Sequence, residues 1–156
     1  MAVSPIAVAE AFERAPLVAE RLGTGGGAPL EIVERARKLI AGFTEAERIA
    51  VLNAHPRIGA TRGLSARSAA EQRAAEPEEP AILDELAGLN AAYEAKFGFR
   101  FVVFVNGRTR AQIVPVFRQR LGRTRDEELT TGLEEFLAIA HDRMRTDRPA
   151  NEGVPR

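Results

Sequence analysis

The sequence predicts an all-α fold, a single compact helical domain of about six to eight helices, and three features carry that expectation. Apolar residues return every three or four positions through most segments, the spacing that gathers them on one helix face. Ser or Thr stands three residues ahead of Glu or Gln at Thr44/Glu47, Ser68/Glu71, Thr109/Gln112 and Thr124/Glu127, the reciprocal cap that opens a helix. One stretch alone, residues 99–105, has the composition of a strand, and no convincing second strand exists to pair with it.

Taken in order, Ser4 and Pro5 read as N-cap and first helical residue of a pattern running to Leu22, bent or broken at Pro16. The run GTGGGAP ends it. Lacking the GK[ST] of a phosphate loop and the strand of a dinucleotide site, this run reads as a flexible connector. Leu30, Val33, Ala36, Leu39 and Ile40 mark the next helix, and a short one follows from Thr44 through Leu52. Pro56 disfavours helical geometry at the residue before it, so His55 is expected just past that helix, in extended backbone at a helix-to-loop corner.

After the loop PRIGATRGLSAR, Ser68 and Glu71 open another helix. Beyond the polar break EPEEP, Ile82, Leu86, Leu89, Tyr93 and Phe97 share one face of a helix that Gly98 can terminate. FRFVVFV followed by Asn106-Gly107 reads locally as a strand and turn. Thr109 caps a helix interrupted near Pro115 and stopped at Gly122, and Thr124 caps the last, with Leu129, Leu133, Phe136 and Ala140 on one face. The domain is expected over residues 1–145, with a loose tail over 146–156.

At 156 residues the chain has the size of one domain. No apolar run approaches the roughly 18 to 20 residues needed to cross a bilayer, so an integral membrane protein is not expected. Acidic and basic residues balance at 22 each, which leaves no overall field for nucleic acid or anionic lipid. Six arginines between Arg108 and Arg125 read as a solvated face or as partners for carboxylates, since Glu127 and Glu128 follow and few aromatics interleave. Without cysteine there is neither a disulfide framework nor a thiolate nucleophile, and the N-terminal stretch lacks the basic and apolar regions of a signal peptide. A C-terminus unlike Ser-Lys-Leu gives no peroxisomal address, and a cytoplasmic protein is the expectation.

Little chemistry survives these counts. His55 and His141 stand 86 positions apart with no cysteine, so the usual zinc patterns are absent. A Ser-His-Asp hydrolase lacks its nucleophile elbow and parallel sheet. What remains is acid and base work by His55 with a carboxylate, since imidazole alone exchanges protons near neutrality at its unperturbed pKa. Spacing by itself favours a humbler reading of His55 as a helix-end residue satisfying carbonyls, and of Ser68 and Glu71 as a cap.

HPRIG, then SAAEQ, then LNAAYEAKFGFRFVV, in that order, resemble the 2-oxo-4-hydroxy-4-carboxy-5-ureidoimidazoline (OHCU) decarboxylase family, with a likeness running from about Leu52 to Met144. The resemblance implies an all-α, usually homodimeric fold, which argues against a strand at Phe99–Val105. It implies decarboxylation of OHCU to (S)-allantoin in urate catabolism without a cofactor or metal. Its site residues carry over as catalytic His55 and Glu71, with Pro56, Ser68, Gln72, Phe99, Arg100, Phe101, Val102 and Val103 as substrate contacts. A late-helix arginine matches Arg143, with Arg145 close by. Arg100 departs from the proline many members carry, and EQRAAEP lacks the glycine often found after Glu-Gln. The implied partner is a small ureidoimidazoline, with functional coupling to upstream urate-pathway enzymes and no role for nucleic acid or membrane. The rival expectation is a non-catalytic helical relative that binds a ligand or partner.

Overall fold

Three of the expected capping boxes form. Thr44 Oγ1 accepts the Glu47 N–H at 3.1 Å while Glu47 Oε1 accepts the Thr44 N–H at 3.0 Å, and Thr109 with Gln112 repeats the exchange at 3.1 and 2.8 Å. Thr124 and Glu127 do so at 3.2 and 3.0 Å. Each box satisfies two main-chain donors that the first turn of a helix leaves without partners. The Thr44 and Thr124 main-chain N–H groups hold the Glu47 and Glu127 carboxyls below the usual carboxylate range.

The computed structural model describes residues 8, 11, 12, 15–22, 27–59 and 80–146. Six helices lie among them: α1 (Pro16–Leu22), α2 (Pro29–Ala41), α3 (Glu45–Asn53), α4 (Pro80–Phe97), α5 (Arg110–Leu121) and α6 (Arg125–Thr146). The N-terminal break falls where the proline predicts, with Ala15 non-helical and α1 opening at Pro16. Gly98 ends α4 at φ 82°, a left-handed conformation open to glycine and costly for a side chain. The helix expected at Ser68 and the tail beyond Thr146 lie outside the described residues.

Three expectations are corrected. No strand occurs among the described residues, and 99–105 runs as an irregular segment between α4 and α5. Pro115 does not interrupt α5, which is continuous through it. A proline there loses one intrahelical hydrogen bond, and the burial of Ile113, Val114 and Phe117 on either side holds the turn against that loss. Leu30 is 67% exposed, and the buried face of α2 is Ile32, Val33, Ala36 and Ile40.

Helix α6 packs on α2, α3 and α4, α5 packs on α4, and α1 covers α2 and α3. At Gly132 of α6 a Cβ would come within 3.2 Å of both Leu52 methyl groups, so the missing side chain sets how closely α6 approaches α3. The core includes Phe12, Val18, Ile32, Leu52, Leu86, Tyr93, Phe117 and Phe136. No helix among the described residues is long and apolar enough to cross a membrane.

Candidate functional site

His55 occupies the expected corner. Helix α3 stops at Asn53, Ala54 is its C-cap, and the His55 N–H still reaches back to the Leu52 carbonyl at 3.2 Å. Pro56 carries no N–H and cannot continue this pattern. The imidazole is 8% exposed and meets Phe136 of α6 edge-on, ring centres 5.2 Å apart. Two arginines hold the corner from outside. Arg57 grips Glu94 of α4 in a bidentate pair at 2.6 and 2.9 Å, which depresses the Glu94 carboxyl, and Arg100 Nη1 donates to the carbonyls of Asn53 and His55, each at 3.0 Å.

Segment 99–105 passes in front of this corner, and its main chain is bonded by side chains where a sheet would use a neighbouring strand. The Arg100 N–H donates to Asn53 Oδ1 at 3.0 Å, the Val102 carbonyl accepts Arg120 Nη1 at 2.7 Å, and the Phe104 N–H donates to Glu135 at 3.1 Å. Arg108 reaches the carbonyls of Phe104 and Val105 at 2.6 and 3.0 Å.

Behind the segment lies a fully buried carboxylate. Glu128 of α6 accepts from Tyr93 Oη at 2.6 Å, Arg120 Nε at 2.8 Å and Arg123 Nη1 at 2.9 Å. Burial, reinforced by Glu128, pushes the Tyr93 phenol well above its ordinary range. Phe101 stacks on Phe117 at 3.7 Å between ring centres, with the Arg120 guanidinium 4.4 Å from its own ring centre. Phe101 thereby joins the aromatic cluster around Tyr93 and borders the site at once.

Between the corner, the segment and the end of α6 is a cavity of about 360 Å³, within the range of roughly 300–1,000 Å³ typical of small-molecule sites. His55, Pro56, Phe101, Val102, Val103 and Arg143 border it together. Arg143 is 2% exposed, with Nη1 3.4 Å from the Ala11 carbonyl. Arg145 instead points outward, paired with Asp142 at 2.8 Å. Phe99 and Arg100 do not border this cavity; they line a smaller cleft of about 270 Å³ with Asn53, Arg57 and Glu94, on the other side of the corner. Ser68, Glu71 and Gln72 lie outside the described residues.

The sequence reading missed Ile58, Phe104, Val105, Ile139, Asp142 and the Asn106-Gly107 turn at the cavity. Ile139 and Asp142 had a usable signal, because with Arg143 they follow the i, i+3, i+4 spacing of one helix face.

The sequence model for OHCU decarboxylase matches residues 6–145. The chain belongs to the OHCU decarboxylase family. It is 28% identical over 144 residues to a 2-oxo-4-hydroxy-4-carboxy-5-ureidoimidazoline decarboxylase of Halalkalicoccus jeotgali, covering 88% of this chain and 81% of that protein. The uric acid degradation bifunctional protein PucL of Bacillus subtilis is 28% identical over 142 residues, covering 85% of this chain and 28% of the longer protein. Among solved structures, an OHCU decarboxylase crystallised in the presence of (S)-allantoin superposes with a TM-score of 0.69 at 28% identity, covering 81% of this chain and 87% of the other.

Proposed function

We propose that this protein decarboxylates OHCU to (S)-allantoin with His55 as a catalytic residue. It is a carboxy-lyase of urate catabolism. The observation that carries the catalytic assignment is the placement of His55, with Pro56, Phe101–Val103 and Arg143, around one cavity of small-molecule size.

The substrate supplies its own electron sink. Breaking the bond from C4 to the carboxylate releases carbon dioxide and leaves the electron pair on C4, beside the ring C=N. The pair forms C4=C5 while the ring nitrogen takes up a proton. The resulting enol gives its hydroxyl proton to a base as C5 receives one from an acid, leaving C4=O and a C5–H centre. In sum the monoanionic substrate loses one carbon dioxide and gains one proton, with no external electron acceptor. A chiral product requires that C5 be protonated from one face, which calls for an acid and a base held on opposite sides of a small ring.

His55 is one member of that pair, and Glu71 is proposed as the other. Arg143 offers a charge-assisted hydrogen bond to an anionic part of the substrate. Ser68 and Gln72 are assigned to the ureido and ring amide groups. Main-chain bonds at 100, 102 and 104 fall at the period of an extended chain, and this supports assigning the opposite edge, at Phe101 and Val103, to substrate contact. The reading extends to a cytoplasmic homodimer and to coupling with upstream urate-pathway enzymes, for which the bifunctional B. subtilis relative is the support.

Circular dichroism of allantoin, formed from freshly generated substrate, tests the reading. Wild type is expected to yield one enantiomer rapidly, and His55→Asn to lose about 10²- to 10⁴-fold in rate with its helical spectrum unchanged. Near-full turnover by that variant removes His55 from the mechanism, and slow racemic product from wild type removes the decarboxylase reading.

A further inference from the structure

Arg100 is joined to both walls of the cavity without lining it. Its guanidinium holds the Asn53 and His55 carbonyls, its N–H holds the Asn53 side chain, and the next residue in the chain is Phe101. The Asn53 carbonyl sits at the end of α3, where the last carbonyls lack intrahelical donors and the helix dipole favours a cation. The His55 carbonyl belongs to the peptide bond joining His55 to Pro56, so one nitrogen fixes the plane from which the imidazole departs. Phe101 is fixed in turn by its stacking on Phe117 and by the guanidinium of Arg120. Arg57 and Glu94 brace the next step of the chain from the same cleft.

We propose that Arg100 is a positioning residue that sets His55 against the Phe101–Val103 wall through the His55 carbonyl, without touching the substrate. This rests on the decarboxylase reading above. Binding contacts and catalytic geometry then separate: the substrate is still bound when Arg100 is removed, but the imidazole no longer holds its angle to the reacting carbon. A misplacement of about 1 Å costs up to about a hundredfold in rate.

The experiment compares wild type, Arg100→Met and Arg100→Lys by steady-state kinetics of allantoin formation and by hydrogen exchange at the His55 amide. Arg100→Met is expected to lower kcat about tenfold or more with KM changed less than about threefold, and to speed exchange of the His55 N–H. Because a single nitrogen serves both carbonyls, Arg100→Lys is expected to recover most of the lost kcat. A raised KM at unchanged kcat in Arg100→Met overturns the proposal in favour of direct substrate contact. Unchanged kcat and KM overturn it outright, whatever happens to thermal stability. Should wild type form no allantoin, the decarboxylase reading fails by itself, and unchanged His55 exchange in Arg100→Met still refutes the tether.

Discussion

Replacing Arg120 with methionine should destabilise the protein more than replacing Arg120 and Glu128 together. The two side chains are 6% and 0% exposed and lie 2.8 Å apart, so each neutralises a charge that water does not reach. Removing one partner of such a pair costs about 3–5 kcal/mol: without Glu128, Arg120 loses its carboxylate, and without Arg120, Glu128 keeps the partly exposed Arg123 as its cation. Glu128→Leu is expected in the same range, since Arg120 would keep the Val102 carbonyl as acceptor while its Nη2, already without a hydrogen-bond partner, gains none. Arg123 changes the sum little: its side chain is 35% exposed and can turn to solvent when the carboxylate is gone. If the single changes added, the double variant would lose about 6–10 kcal/mol, most or all of the stability of an ordinary domain. With both charges replaced by apolar groups no buried charge remains, and a loss of about 2–4 kcal/mol is expected from the Tyr93 hydroxyl and Val102 carbonyl left without these partners, a coupling of about 2–8 kcal/mol. Urea unfolding followed by far-ultraviolet circular dichroism on the four proteins measures it. Additivity of the single changes to within about 0.5 kcal/mol would refute the reasoning.

Tyr93 is the one tyrosine in a chain without tryptophan, so its ionisation can be followed directly. Burial beside Glu128 raises its folded-state pKa, so the stability it contributes is fully present below the unfolded value of about 10 and declines as pH rises beyond it. Phenolate absorbance and loss of the helical signal should therefore appear together in an alkaline titration, and phenolate forming near pH 10 in a still-helical protein would contradict the burial argument. At the cavity, Arg143→Met is expected to raise KM about tenfold or more, as loss of a charge-assisted bond would, while the outward-pointing Arg145→Met changes it less than about threefold. Equal effects from the two substitutions would remove Arg143's special place.

Helix starts were legible because a cap is a local bargain between residues three apart, and Thr44, Thr109 and Thr124 each close theirs as the sequence predicts. The stop at Gly98 and the break at Pro16 were legible for the same reason. Long-range effects were not. Leu30 satisfies the helical pattern of α2, yet the packing leaves it on the solvent side. The strand-like composition of 99–105 pointed to a strand that does not form and said nothing of what would bond its main chain. The six-arginine cluster was read as a solvated face or as partners for carboxylates; Arg118, Arg120, Arg123 and Arg125 are such partners, but Arg120 and Arg125 also bond the carbonyls of Val102 and Phe97, and Arg108 bonds those of Phe104 and Val105. Arg100 was expected as a substrate contact and as a departure from a motif, and its place in the smaller cleft was not legible. Its grip on His55 spans 45 residues and depends on where α4 ends.

The absence of a partner strand among the described residues bears on what the site can do. A segment inside a sheet commits both edges to neighbours, whereas 99–105 is bonded at 100, 102 and 104 by Asn53, Arg120 and Glu135, which come from three different helices. Each is an individual side chain, so the segment can be fixed on one edge without a second strand closing off the other. Such a scheme requires buried charge, because a donor reaching a carbonyl in the core from an arginine needs an anion to neutralise it; Arg120 has Glu128, and Tyr93 completes that carboxylate's shell. The helical fold thus holds a segment that borders the cavity in register with individual side chains, one of them salt-bridged, in place of a partner strand. It follows that weakening Glu128 should disturb Val102 at the cavity wall, although Glu128 itself does not border the cavity.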